Sequence, residues 1–418
     1  MGTTTEKLNK IVSTKDSIRS AIINKGVSVP TATTLSQYSS KIDSIQTGPV
    51  EAIEKDVNFY DYDGFRVASY TITEAKELTS LPTPPTHEGL TFQGWNWTLS
   101  QLQNYNRKFA NIGANYMPAN GNTVIKIKIN NFKEESFAIS LRLSGNTSVL
   151  ISYGDGRSET QSNTGSSATN YSISHSYTSN GDYSITFSPS GLNGKFGFAN
   201  TTSNYYRYYI IKEINIGNNV LLDQSYALAY LNCKLSLPST GLSITGTYCF
   251  GYSSIPQVNI PPTVTASTGY MFYYFKGEVS FPPTISTLTA TYLFTYANIN
   301  SVVLPKPSSN ASVGNTLLSN TYNMTVLSLP SNFTFNTASN IFTNCKKITF
   351  LDVESGWTPT QNITFSTSTC YPAHSMVTFF TNLGTTSTTR TLTFGSTNLN
   401  RLTAIQKAIA TDKGYTLS

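Results

Sequence analysis

The chain has 418 residues, of which 39% are hydrophobic and 12% are charged. Its 28 basic and 22 acidic residues give a net charge of +6 without a long basic run, which argues against a nucleic-acid partner. No stretch approaches the roughly 18 uninterrupted apolar residues of a membrane span, and the length leaves room for about two to four domains.

The N-terminal 48 residues predict two short helices with narrow apolar stripes. The first helix is expected over residues 5–25, before Gly26, with a stripe made by Leu8, Ile11, Ile18 and Ile22. The second stripe consists of Leu35, Tyr38, Ile42 and Ile45. An intramolecular hairpin and an oligomeric attachment bundle are both open, and we favour the bundle, preferably a trimer. The opening EKLNKIVSTKDSIRSAIINKGVSV resembles an N-terminal module of phage structural proteins, which implies docking of residues 1–48 to other virion proteins.

Residues 49–118 predict a small β module with a linker. Asp63 and Gly64 are expected in a tight hairpin turn, and Phe92 and Trp95 in an aromatic core. Asp61 and Asp63 are interpreted as turn residues, because the other oxygen ligands of a calcium loop are missing. Residues 97–114 are expected to be a helix and a linker. The segments VNFYDYDG, LPTPP and GLTFQGW are similar to the Listeria–Bacteroides repeat, a β-grasp-like surface module.

Residues 119–198 alternate between apolar and polar side chains, which predicts strands. Ile125, Ile127 and Ile129 share one strand face. The segments YGDG (153–156), HSY (175–177) and GDY (181–183) resemble the PKD-type β-sandwich, although Tyr153 replaces its usual tryptophan. Asp155 and His175 are expected to have structural roles within this sandwich.

Residues 199–384 contain a repeat with a period in the low twenties, which is typical of a solenoid. The repeated segments are LSLP (235–238), VNIP (258–261), VSFP (279–282), VVLP (302–305) and LSLP (327–330). Each apolar–polar–apolar triplet predicts a short strand with one buried face, ended by proline. About eleven residues later come aromatic pairs expected inside the coil: Tyr248 and Phe250, Tyr270 and Phe272, Tyr292 and Phe294. This pattern resembles the BspA-type leucine-rich repeat, which implies a binding surface.

The periodicity is expected to fade after Leu351. Residues 375–383 predict a helix, and TLTFG (391–395) predicts a last strand. Leu402, Ile405 and Ile409 line one face of a final helix, so residues 385–418 are interpreted as a cap on the open end of the repeats. The predicted fold class is mainly β and multidomain, with N-terminal helices, small β modules including a PKD-like sandwich, and a capped C-terminal solenoid.

The sequence carries no recognisable catalytic motif. Few acidic residues lie in the repeats, so the paired carboxylates of a glycan depolymerase are not expected. The four cysteines, Cys233, Cys249, Cys345 and Cys370, lack metal-ligand spacing and are expected to be free, buried thiols. Neither a cofactor nor a metal is expected.

Tyrosines near the aromatic pairs form the candidate binding surface, through their ring faces and hydroxyls: Tyr252, Tyr273, Tyr274 and Tyr296. Together with the resemblances, they favour a phage tail or head fibre, or a baseplate appendage, that adheres to a host-surface glycan or protein. The N-terminus lacks the apolar core of a signal peptide, which agrees with a virion protein released by lysis. A purely structural decoration or collar protein is the alternative. A bacterial surface adhesin and a depolymerase are less favoured.

Overall fold

The computed structural model describes residues 3–23, 29–38, 41, 56–191, 195–199, 209–289, 291–308, 311–313, 317–335 and 341–418. The chain forms two compact units, residues 1–54 and 55–418. The structure is mainly β, with several small sheets and few helices.

The first unit contains helix α1 (Thr4–Ile23), which confirms the first predicted helix, and a 3-10 helix at Leu35–Gln37. Ile22, Val29 and Tyr38 form a small core. Leu8, Ile11 and Ile18 are exposed on α1. Gly26, Ile42 and Ile45 lie outside the described residues.

The second unit begins with a four-stranded sheet in the order β2-β1-β4-β3. Its elements are β1 (Val57–Tyr60), β2 (Arg66–Tyr70), α2 (Ile72–Lys76), β3 (Leu90–Trp95), α3 (Leu99–Gln103) and β4 (Ala110–Pro118). Strands β1 and β2 form the predicted hairpin, with Gly64 at a φ of 89°. The expectation of a helix and a linker over residues 97–114 is wrong from Ala110 onward, because β4 pairs with both β1 and β3. Its polar side chains, such as Asn111 and Asn115, are buried, which hid the strand pattern.

Two further sheets form the next part of the chain, in the orders β14-β12-β5-β10-β7-β8 and β15-β13-β11-β6-β9. Their strands are β5 (Thr123–Ile129), β6 (Ser136–Ser144), β7 (Thr147–Ser152), β8 (Ser158–Asn163), β9 (Thr169–Ser176), β10 (Gly181–Ser190), β11 (Lys195–Ala199), β12 (Ile211–Asn215), β13 (Val220–Leu222), β14 (Lys234–Ser236) and β15 (Leu242–Ile244). Both sheets cross the boundary expected at residues 198/199, since β5 pairs with β12 and β11 with β13. His175 bonds Asp155 at 2.9 Å inside this part.

The repeats form short parallel strands in two rows. The first row continues from β14 with β16 (Ser254–Asn259), β17 (Lys276–Ser280), β18 (Ser301–Val303), β20 (Val326–Leu329) and β22 (Phe350–Val353). The second row includes β19 (Ala311–Val313) and β21 (Phe333–Phe335), which are also parallel. The residues before the repeated prolines are at most 5% exposed: Leu237, Ile260, Phe281, Leu304 and Leu329. They do not follow one continuous ladder, because the first row is divided among three hydrogen-bonded sheets.

Parallel pairing continues at the C-terminus, so the expectation that the periodicity fades after Leu351 is wrong. The elements are β23 (Ile363–Thr364), α4 (Ala373–Asn382), β24 (Arg390–Thr393), α5 (Ser396–Leu399), α6 (Ala404–Thr411) and β25 (Tyr415–Leu417), with β23, β24 and β25 in one parallel sheet. Helix α4 and strand β24 confirm the predicted elements. The predicted face of the last helix is wrong at Ile405, which is 82% exposed because it lies in the outward-facing first turn of α6.

One hydrophobic core extends from Ile125 to Tyr415, and the four-stranded sheet has a second core. The rings of Phe250, Phe272 and Phe294 stack inside the first core, with centroids 5.5 and 5.4 Å apart. The phenylalanines therefore occupy the predicted interior, whereas the tyrosines two residues before them do not: Tyr248, Tyr270 and Tyr292 are all half-buried at the surface.

Candidate binding surface

Two columns of tyrosines run along the repeats, and together with Tyr273 we call them the tyrosine ladder. The inner column consists of Tyr226, Tyr248, Tyr270 and Tyr292, and the outer column of Tyr230, Tyr252, Tyr274 and Tyr296. Within each column the residues are 22 positions apart. The equal step places the same position of successive repeats side by side.

Backbone hydrogen bonds between neighbouring repeats determine the spacing of the rings. The Tyr252 N–H donates to the Tyr273 carbonyl at 2.8 Å, and the Tyr274 N–H donates to the Thr295 carbonyl at 3.1 Å. Ring centroids are 4.6, 4.4 and 4.7 Å apart along the inner column and 5.0, 5.3 and 4.4 Å along the outer one. These values match the roughly 4.8 Å between hydrogen-bonded strands. Planes of successive rings differ by 22° at most, so the rings stack.

All eight column tyrosines have left-handed backbone, with φ between 51° and 63°. The left-handed conformation is unfavourable by roughly 1–2 kcal/mol for a residue with a Cβ. Each stacked aromatic pair contributes about 0.5–1.5 kcal/mol of stabilisation, which offsets part of this cost. Asn320 and Asn344 take the outer position in the next two repeats, with φ of 64° and 60°. The left-handed backbone is therefore a feature of the repeat itself and does not depend on a tyrosine ring at this position.

The predicted surface residues lie together on this ladder. Tyr252, Tyr274 and Tyr296 are 38%, 45% and 38% exposed. Tyr273 is half-buried between the columns and meets their rings edge to face, 4.8 Å from Tyr274 and 5.7 Å from Tyr270. The other ladder members were not predicted as surface residues, although the 22-residue spacing of tyrosines would have revealed them.

The stacking decides what the ladder offers to a ligand. Each ring inside a column has its two faces covered by its neighbours, so ring edges and hydroxyls point outward, and contact through ring faces is confined to the column ends. Burial raises the pKa of Tyr252 to about 12, and the neighbouring Tyr273 and Tyr230 reinforce the shift. Its hydroxyl is therefore protonated at neutral pH and can both donate and accept hydrogen bonds.

The strands of the first row are also covered on the face that points away from the core of the repeats. This finding corrects the expectation that each strand has only one buried face. The polar residues of the triplets are buried there: Ser236, Asn259, Ser280, Ser328 and Asp352. Strand β4 and the segment before it lie across them. This side of the described repeats is therefore not open to a ligand.

Side-chain amides hold this covering segment in place. The Asn96 amide donates to the carbonyls of Ile260 and Ser280 at 3.1 and 3.2 Å, and its oxygen accepts from the Gly113 N–H at 2.8 Å. The Asn115 amide donates to the carbonyls of Leu237 and Asn259. Gly113 is needed for this approach, because a Cβ there would overlap the Asn259 side chain.

Charged groups fasten the other end of the segment. Arg107 donates to the Leu304 carbonyl at 2.7 Å and to the Ser328 hydroxyl at 3.1 Å. The Asp352 carboxylate accepts from the backbone N–H groups of Lys108 and Phe109. All of these partners lie more than 100 positions apart in the sequence.

Among the described residues, no three His, Cys, Asp or Glu side chains lie close enough together to hold a metal ion. Cys233, Cys249 and Cys345 are free and buried as predicted, whereas Cys370 is exposed. Within the described part of the chain, no helix combines the length and apolarity needed to span a membrane.

Comparison with known proteins identifies the repeats. Residues 199–306, 244–371 and 287–410 match the BspA type leucine-rich repeat region, in six copies. These matches cover residues 199–410, just over half of the 418-residue chain, and extend into the segment predicted as a cap. No curated protein and no solved structure shows significant similarity to the chain. The resemblances of residues 1–48, 49–118 and 119–198 stay predictions. The chain belongs to the BspA type leucine-rich repeat family.

Proposed function

We propose that this chain is a non-enzymatic adhesion protein that binds a host-surface glycan or glycoprotein through the tyrosine ladder. The observation that carries the proposal is the regular row of exposed tyrosines at Tyr252, Tyr274 and Tyr296, spaced by the repeat backbone. A rigid row of ring edges and hydroxyls offers many weak contacts at fixed intervals. Such contacts suit a ligand that is itself a polymer with many hydroxyls.

The same proposal places the chain on a phage virion, as part of a tail or head fibre or a baseplate appendage. This placement rests on the sequence resemblances and on the exposed apolar side chains of Leu8, Ile11 and Ile18 on α1. Burial of these side chains against another chain would be favourable. Residues 1–48 would dock to other virion proteins and join copies of the chain, preferably as a trimer. Several copies would turn weak single sites into firm attachment through effective concentration.

The finer architecture is part of this proposal. The repeats form a solenoid, with a PKD-like sandwich at its first end and the last helix as a cap at its other end. The two rows of parallel strands, and the two sheets that lead into them, support this arrangement.

Binding without cleavage is favoured by the partners of the acidic side chains. Glu213 pairs with Lys126 and Asp223 with Arg142, each at 3.1 Å. The Glu278 carboxylate accepts from the Asn300 N–H at 2.8 Å. A depolymerase needs two carboxylates that can reach one bond, whereas these groups have structural partners.

The decisive variant replaces Tyr252, Tyr274 and Tyr296 with asparagine in the full chain. Asparagine occupies the same left-handed position at Asn320 and Asn344, so the repeat backbone is expected to remain folded. Leu150→Asn is the control, since Leu150 is 46% exposed on β7, outside the ladder.

Retention on host cells and released reducing sugar are measured together. We expect the wild type and Leu150→Asn to be retained on the cells, the triple variant to be washed off, and no reducing sugar to be released. Sugar release would identify a depolymerase. Equal retention of all three proteins would show that the tyrosine ladder is not the binding surface. Retention of none of them would favour a purely structural virion component.

A further inference from the structure

We infer that the ligand of the tyrosine ladder is an acidic glycan, whose anionic groups enter a lysine-lined groove beside the outer column. This inference rests on the proposed adhesion function and adds the charge of the ligand. The groove has a volume of about 380 Å³ and is lined by Lys212, Asn232, Lys234, Ser254, Pro256 and Lys276, among others.

The groove adjoins the ladder because both are built from the same repeats. Asn232, Ser254 and Lys276 each follow an outer-column tyrosine by two residues. Two residues of chain span at most about 7 Å. The Lys276 N–H donates to the Ser253 carbonyl at 2.8 Å, so the groove, like the ladder, follows the hydrogen bonds between repeats. A polymer lying along the outer column would therefore pass the groove.

Three ammonium groups in one groove create a positive field. Lys212, Lys234 and Lys276 are all exposed. Lys234 lies 3.2 Å from the Asp63 carboxylate, and Lys212 donates to the Tyr209 carbonyl. Within the described part of the chain, neither Lys212 nor Lys276 forms an ion pair with a carboxylate.

Nearby carboxylates offset only part of this charge: Asp63 pairs with Lys234, whereas Lys212 and Lys276 supply the positive charge that stays unpaired among the described residues. Glu213 pairs with Lys126 at 3.1 Å, and Glu278, two residues after Lys276, accepts from backbone N–H groups of Asn300 and Ser301. A cleft lined by charge of one sign concentrates its field on ions of the opposite sign. Lysine binds phosphate, sulfate and carboxylate groups as a point charge, so the groove selects for charge and tolerates different anionic groups.

A glycan fits better than a nucleic acid. The exposed ladder rings stack on each other and present edges, whereas single-stranded nucleic acid needs open ring faces on which its bases can stack. Hydroxyl groups of sugars can instead exchange hydrogen bonds with tyrosine hydroxyls.

The test measures binding of the full chain to immobilised dextran sulfate, to uncharged dextran of the same length and to single-stranded DNA, across a salt series. The groove variant is Lys212→Gln with Lys276→Gln. Its matched control is Lys133→Gln with Lys195→Gln, which removes the same charge at two exposed lysines that do not line the groove. Melting curves verify that both variants are folded.

We expect the wild type to prefer dextran sulfate to dextran. The groove variant should lose at least about 10-fold in affinity, because it removes two lysines and the loss of one charge-assisted hydrogen bond already corresponds to about tenfold. The control variant should stay within about twofold. Equal losses in both variants, or DNA binding as tight as dextran sulfate binding, would overturn the inference. If the Tyr→Asn triple variant loses cell retention but the groove variant binds dextran sulfate normally, the inference fails while the adhesion function stands.

Discussion

Replacing Asn96 with alanine should destabilise the second unit, because this one amide joins the four-stranded sheet to two repeats. Asn96 is buried and donates to the Ile260 and Ser280 carbonyls, while its oxygen accepts from the Gly113 N–H. The Ser280 carbonyl keeps a donor in the Ile260 N–H at 3.0 Å. The substitution therefore acts mainly on the Ile260 carbonyl and the Gly113 N–H.

The magnitude follows from these two groups. A buried polar group that loses its partner costs about 1–3 kcal/mol, so two of them cost about 2–6 kcal/mol. With an m value of about 3 kcal/mol/M, a loss near the middle of that range lowers the urea midpoint by roughly 1 M. Asn170→Ala removes an exposed amide and should change the free energy of unfolding by less than about 0.5 kcal/mol.

Tryptophan fluorescence during urea unfolding provides the assay. The indole N–H of Trp97 donates to the Phe281 carbonyl at 2.9 Å, so its emission reports contact between the sheet and the repeats. Trp357 lies inside the repeats. An unchanged midpoint in Asn96→Ala, or a Trp97 signal that is lost without any change in repeat stability, would refute the view that the sheet stabilises the repeats.

Three other predictions concern the core, the pH dependence and the assembly. Phe272→Ala should lower the free energy of unfolding by about 3–5 kcal/mol, because Phe272 is fully buried in the phenylalanine stack. Phe132→Ala, at an exposed position, should be nearly neutral in the same thermal unfolding experiment. Similar melting of the two variants would place the stack outside the core. Burial opposes ionisation of Glu354, but hydrogen bonds led by that from Lys306 hold its pKa at about 2, below its ordinary 4.5. Its stabilising contribution is thus present above pH 4.5 and lost as the pH falls toward 2, so Glu354→Gln should flatten the acid limb of the stability curve; identical limbs would contradict this. Removing residues 1–54 should convert an oligomer into a monomer in light scattering, and a monomeric full chain would exclude assembly through this unit.

Much of the fold could be predicted because the relevant signals are local. The repeated prolines and the apolar residues before them recur in each unit, and each strand follows from a few neighbouring residues. The hairpin at Gly64 and the helix α4 depend on equally short patterns. The exposed cluster of Tyr252, Tyr274 and Tyr296 could be proposed from the crowding of tyrosines alone.

The covered side of the repeats could not be predicted, because its partners are distant in sequence. Asn96 and Ser280 are separated by 184 positions, and no sequence pattern near either residue predicts their contact. A polar residue at the centre of a triplet such as LSLP indicates a solvent-facing position unless another segment supplies its hydrogen bonds. Only the tertiary structure shows that β4 supplies these hydrogen bonds and covers this side of the repeats. The side that carries the tyrosine ladder stays exposed to solvent.

The sequence alone determined the period and the identity of the rings, and the tertiary structure decided which rings face outward. Tyr248 and Phe250 both look like interior aromatics in a linear pattern. Left-handed backbone at Tyr248, with a φ of 53°, turns its ring to the surface, while the ring of Phe250 stacks in the core. Such a conformation is uncommon for tyrosine in isolation. It persists here because stacking between repeats and their backbone hydrogen bonds act together, and both exist only after the chain has folded.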